Sequence, residues 1–233
     1  MGEHYAEDVG VACSIHAFPI SMDDDFFNKL REKIQPFFIK GGSHAFDHTE
    51  RVYSLALKLA NNKKVDLDVI KAAALLHDIS RLKEENKEIE CHAEHGSKMA
   101  RDILNELMFP KDKIEEVVYA IKVHRHSKRI KAETKEAEIL QDADRLDALG
   151  AITIARMFST GGELNHPIYN PKIPINDNSS NFYTSTIHGF YTKILKITPE
   201  TFNTKEAKEI AKGRYEFVEK FLEEFFKEWK GED

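Results

Sequence analysis

The apolar run Ala72-Ala73-Ala74-Leu75-Leu76 leads without a break into His77-Asp78-Ile79. Val69, Ala73, Leu76 and Ile79 recur at helical spacing, which predicts a helix over residues 66–78 with too little polar surface to lie anywhere but the centre of a fold. The end of that helix then carries an imidazole and a carboxylate into the interior. Burying two such groups is costly unless something pairs with them. A divalent cation is one such partner, because neutral imidazole and carboxylate are both ligands for it. The plainer alternative is a histidine that caps the helix C-terminus and leaves Asp78 exposed.

The rest of the chain surrounds this helix with others. Asp23, Asp24 and Asp25 after Ser21 suit the start of a helix, which Phe26, Leu30, Ile34 and Phe37 continue until Pro36 bends or ends it. Further helices are predicted over about 47–62, 92–107, 113–124, 136–158, 185–195 and 204–229, with Gly150 tolerated inside the fourth of these at about 1 kcal/mol. Residues 81–91 are highly charged and read as a solvated loop. Residues 161–182 contain Pro167, Pro171 and Pro174 without a period and read as a long loop, the kind that forms lids or binding segments. No strand alternation stands out. The expected architecture is all-α: an irregular segment over 1–20, then a single compact multi-helix domain over 21–233.

Bulk properties narrow the function. With 233 residues the chain is long enough to bury a core. A net charge of -6 gives no basic face for a nucleic-acid backbone. No apolar run approaches the roughly 18 residues that span a bilayer, and the widely separated Cys13 and Cys91 suggest neither a disulfide framework nor a cysteine zinc site. The expectation is a cytoplasmic protein without a membrane partner, with a homodimer left open. There are 11 histidines, and they crowd between His44 and His126.

Several of these histidines have the spacing to join His77 and Asp78. His48 lies on a helix whose inner face continues through Val52 and Leu55. Asp142, Asp144 and Asp147 begin another apolar helix, where at least one carboxylate is expected to face inward. Asp142 and Asp144 flank the Ala143 stripe on opposite sides, so spacing does not choose between them. His92 and His95 share one face of a helix start, and His124 and His126 end the helix that follows. Arg51 lies one turn after His48, where it can brace two helices; Arg145 sits beside the carboxylates. His44 either reaches substrate or caps its helix.

The segments His48-Thr-Glu-Arg51-Val52, Ala-Leu-Leu-His77-Asp78-Ile and Asp142-Ala-Asp144-Arg145-Leu146-Asp147 together resemble the HD-domain metal-dependent phosphohydrolases. The resemblance covers about residues 40–230 and includes His92-Ala-Glu-His95 and Val123-His124. It implies an HD-type helical bundle with one divalent metal held by His48, His77, Asp78 and Asp144, the last chosen because it precedes Arg-Leu. Two imidazoles and two carboxylates suit Mn²⁺ first, with Fe²⁺, Co²⁺, Ni²⁺, Zn²⁺ or Mg²⁺ as alternatives.

The implied reaction is hydrolysis of a phosphomonoester or pyrophosphate bond, most naturally in a nucleotide, by a metal-activated water. Asp78, Arg145, His92 and His95 are the expected catalytic groups. Arg51, His44, His124 and Asp147 are expected on the substrate side. Two other readings keep the fold: a di-iron oxygenase, with a second metal held through His92 and His124, and a regulatory module that binds a nucleotide without turning it over. The 161–181 loop is expected to close over the site, with Tyr169, Phe182 and Tyr183 either stacking on a base or packing in the core.

Overall fold

The structure is a computed structural model that describes residues 22–38, 46–128, 130–175 and 185–232. These form an all-helical bundle with no strand among them. In chain order the helices are α1 (Asp24–Ile34), α2 (Phe46–Ala60), α3 (Leu67–Leu76), α4 (Arg81–Glu85), α5 (His92–Glu106), α6 (Lys111–Val123), α7 (Lys135–Asp147), α8 (Ala151–Glu163), α9 (Thr186–Thr192) and α10 (Lys205–Lys230). His44, Phe182 and Tyr183 lie outside the described residues, as does the whole 1–20 segment together with Ser21.

Helix α3 is the axis of the bundle, packed against α1, α2, α5, α6 and α7. Its Val69, Ala72, Ala74, Leu75 and Leu76 are fully buried; burying each leucine is worth about 1.5–3 kcal/mol. Asp66 caps the helix by accepting from the Asp68 and Val69 amides, so its start is fixed by its own sequence. The buried Asp68 carboxylate in turn accepts from Met22 N at 3.1 Å and from Lys113 Nζ at 2.7 Å. That arrangement ties the beginning of α1 and the first turn of α6 to the central helix. His77 and Asp78 leave α3 at its far end, where α2, α5, α6 and α7 converge.

Asp23 caps α1 through the Phe26 amide. Two elements differ from the sequence expectations. The charged 81–91 stretch contains the short helix α4, whose Glu84 turns inward toward α5. The helix expected over 136–158 is two helices, because Gly150 adopts φ 83°, ψ -157° between α7 and α8, a region open essentially to glycine alone. A Cβ there would also lie 3.1 Å from Arg214 Cγ. Gly150→Ala is therefore expected to cost about 1–3 kcal/mol of stability, measured by thermal or urea denaturation; a variant as stable as the parent would show that the break is not imposed at this residue. Helix α8 also runs through Gly161-Gly162, so the loop begins later than expected, at Leu164.

Candidate metal centre

Four imidazoles meet at the end of α3, and each is oriented by an acceptor behind it. His77 Nδ1 donates to the Ala74 carbonyl at 2.8 Å, and His124 Nδ1 to the Ile121 carbonyl at 2.6 Å. His48 Nδ1 lies 2.8 Å from Asp147 Oδ2, and His92 Nδ1 bonds to Glu84. A carbonyl or carboxylate only accepts, so the proton of each neutral ring belongs on Nδ1 and the Nε2 lone pair faces inward. All four rings are buried.

The inward nitrogens form two pairs. His48 and His77 Nε2 are 3.3 Å apart, and so are His92 and His124 Nε2. Asp78, also buried, lies between the pairs: Oδ1 is 3.2 Å from His92 and 3.6 Å from His124, while Oδ2 is 3.8 Å from both His48 and His77. Two lone pairs that face each other at such distances repel unless a proton or cation lies between them. Donors around one cation at about 2.0–2.2 Å stand about 3.0–3.5 Å from one another, so this donor set fits a divalent metal. Among the described residues, two groups of three have donor atoms that all lie within 4.8 Å of one another, His48–His77–Asp78 and Asp78–His92–His124.

Asp144 stands at the margin of the first group. Its Oδ1 is 3.4 Å from His48 Nε2, but it is not among the three whose donor atoms all lie within 4.8 Å of one another. Asp142 faces the opposite way, accepting from the Asn203 and Thr204 amides at 2.8 and 2.7 Å and from the Thr204 hydroxyl. The two carboxylates that spacing could not separate thus do different work, one beside the imidazoles and one anchoring the start of α10.

Charge in the centre follows from this packing. Burial favours a neutral His48, but hydrogen bonds to Asp144 and Asp147 outweigh it and raise its pKa to about 9. His77, whose ring bonds a carbonyl, is lowered by burial to about 4. Burial opposes ionisation of Asp78 as well, yet the charge of His77 and the hydrogen bond with His124 hold it well below the usual carboxylate range. Asp144 is held low against the same burial by His48. A cation that enters must displace the proton on His48, so metal uptake releases protons.

Asp147 and Arg51 meet each other behind the His48 ring. The Asp147 carboxylate, 1% exposed, receives Arg51 Nε at 2.7 Å and Arg156 at 2.9 Å in addition to His48; Arg51 also pairs with Asp47. Asp147→Asn keeps the shape but removes the charge behind His48, and is expected to weaken metal affinity about 10–100-fold. Competition with a metallochromic chelator measures this, and unchanged affinity would exclude a supporting role for Asp147. Arg145 departs further from expectation. Its guanidinium points away from the imidazoles and bonds the Thr201 carbonyl and Gln141 Oε1.

His95 is not brought into the cluster; its Nδ1 is buried without a hydrogen-bond partner. Tyr169 stacks on His188 at 5.6 Å and meets Phe226 and Trp229 edge-on, which is core packing. Groups that were not anticipated are Glu84, Arg81 and Lys193. Arg81 lies 3.3 Å from His92 Nδ1. Burial, together with the charges of Arg81 and Arg156, pulls Lys193 below its usual range while Asp144 opposes the shift, so these charges share one region beside the centre. Arg81 follows Asp78 by three residues and was within reach of a reading of the His-Asp segment. Lys193 had no such signal.

A central helix ending in His-Asp, ringed by helices that deliver imidazoles and carboxylates, defines a class of metal-dependent hydrolase folds. Residues 45–149 match the HD domain family model. The structure is similar to an HD-superfamily hydrolase from Bacillus thuringiensis, 32% identical over 88% of this chain and 97% of that one, with a TM-score of 0.69. It is similar to a predicted HD-superfamily hydrolase from an uncultured Thermotogales bacterium, 33% identical over 88% of this chain and 91% of that one, with a TM-score of 0.60. Bacillus subtilis YpgQ, in a complex with ADP, is 25% identical over 88% of this chain and 95% of its own, with a TM-score of 0.68. This chain belongs to the HD superfamily, and the fold and its His/Asp cluster support a metal-dependent phosphohydrolase in general. No helix among the described residues is long and apolar enough to cross a membrane.

Proposed function

We propose that this protein hydrolyses a phosphomonoester or pyrophosphate bond of a nucleotide, at a centre that holds a divalent cation through His48, His77, Asp78 and Asp144. The observation that carries this reading is the convergence of four Nε2 atoms on the two oxygens of Asp78. A bound divalent cation lowers the pKa of water and polarises a phosphoryl oxygen. The nucleotide is supported by the ADP found on YpgQ. Manganese is the first choice of metal for a mixed imidazole and carboxylate set.

The chain's own residues supply the rest. Asp78 is kept ionised and shared between both pairs of imidazoles, so a second cation at Asp78, His92 and His124 belongs to the proposal. Asp147 and Glu84 hold His48 and His92 in the orientation that presents Nε2. Lys193 and Arg81 are the cations placed to receive phosphate oxygens, the role first expected of Arg51 and Arg145. Full-length protein with Mn²⁺ is expected to release phosphate or pyrophosphate from at least one member of a nucleoside mono-, di- and triphosphate panel, and a chelator is expected to abolish the release. Metal-loaded protein that turns over no nucleotide would sink the substrate assignment. The Asp78–His92–His124 group would hold the second metal of a di-iron oxygenase; two irons per chain with oxygen consumption would establish that reading instead.

A further inference from the structure

Arg145 is a buried cation whose hydrogen bonds end on neutral oxygens. It is 8% exposed, and it bonds the Thr201 carbonyl and Gln141 Oε1. Its Nε is buried with no partner at all. The ring of Phe202 lies 5.8 Å from the guanidinium carbon. Asp142, three residues earlier on α7, is committed to Asn203 and Thr204. Asp142 and Asp144 act on the guanidinium only through space, and a cation taken out of water without a directly bonded anion is costly, by several kcal/mol before any compensation, so the position suits an anion.

The surroundings suit one. Arg145 lines a cavity of about 360 Å³ together with His126, Lys131, Lys196 and Asn203, and no carboxylate is among the described residues that line it. Lys131 and Lys196 are exposed, so their ammonium groups are free to swing over a ligand. Arg145 follows Asp144 by one residue, a turn of about 100° on a helix, which places this cavity on a different flank of α7 from the imidazoles. Arginine offers a rigid fork for phosphate oxygens and lysine a mobile point charge. One arginine and two lysines match the several negative charges of a diphosphate far better than a single carboxylate.

We infer that the cavity beside Arg145 is a second anion site, distinct from the metal centre, that binds a diphosphate group, either inorganic or carried by a nucleoside. The test is calorimetric titration of the full chain with inorganic pyrophosphate and, separately, with ADP, in buffer containing EDTA so that metal-dependent binding is silent. Wild-type protein is expected to bind one diphosphate per chain, and Lys131→Glu/Lys196→Glu to bind it about tenfold or more weakly, since a lost charged contact is worth about 1.5–3 kcal/mol. Both lysines are on the surface, so the variant keeps the fold. ADP binding no tighter than pyrophosphate identifies the inorganic anion as sufficient, whereas much tighter ADP binding identifies the nucleotide. Absence of chelator-resistant binding for both anions, or equal binding by the double variant, overturns the site.

Discussion

Asp78→Ala is expected to reduce metal-dependent hydrolysis by about 10³-fold or more and to strip the protein of bound metal. Its two oxygens face all four inward imidazole nitrogens, so the alanine variant loses the shared anion of both groups at once. The charge stabilisation that a catalytic cation contributes is several kcal/mol, and each 1.36 kcal/mol is a factor of ten in rate. Metal content by elemental analysis and initial rates on the best nucleotide are the two readouts. Retention of both in the variant would exclude the metal mechanism. Loss of activity with retained metal would move the role of Asp78 from ligand to base.

A second large effect separates Asp142 from Asp144. Asp142→Ala removes the acceptor of two backbone amides and a hydroxyl at the start of α10. Orphaned buried donors cost about 1–3 kcal/mol each, so a total loss of about 3 kcal/mol is expected, a fall in Tm of about 6–12 °C at this chain length. The folded variant should bind metal as the parent does. Asp144→Ala is expected to do the reverse, changing Tm little and weakening metal binding, because its carboxylate faces His48 and not a backbone donor. Thermal denaturation and metal titration of both variants read this out. If Asp142→Ala loses metal while Asp144→Ala keeps it, the assignment of the fourth ligand is reversed.

Most of the fold was legible because its signals are local. The spacing of Val69, Ala73 and Leu76 identified α3, and the Phe26, Leu30 and Ile34 stripe identified α1; all six side chains are buried. The break at Gly150 was not legible. A glycine inside an apolar period is compatible with a continuous helix, and the period resumes in α8 after the chain has changed direction. Helix α4 was hidden in the same way, since a charged, half-buried five-residue helix has no apolar period to detect.

The centre divides along the same line. His77-Asp78 after an apolar run already announced buried polar groups in need of a partner, because burial follows from composition and burial of charge has a known cost. Residue types and helical spacing also supplied the pool of imidazoles from His48 to His124. Only the tertiary structure decided which atoms meet: His92 and His124 opposite His48 and His77, Asp147 behind the His48 ring, and Arg145 on another flank of α7 facing a cavity of its own. Sequence period fixes the angle of a side chain about its own helix, whereas the partner it finds depends on how helices far apart in the chain are turned toward one another.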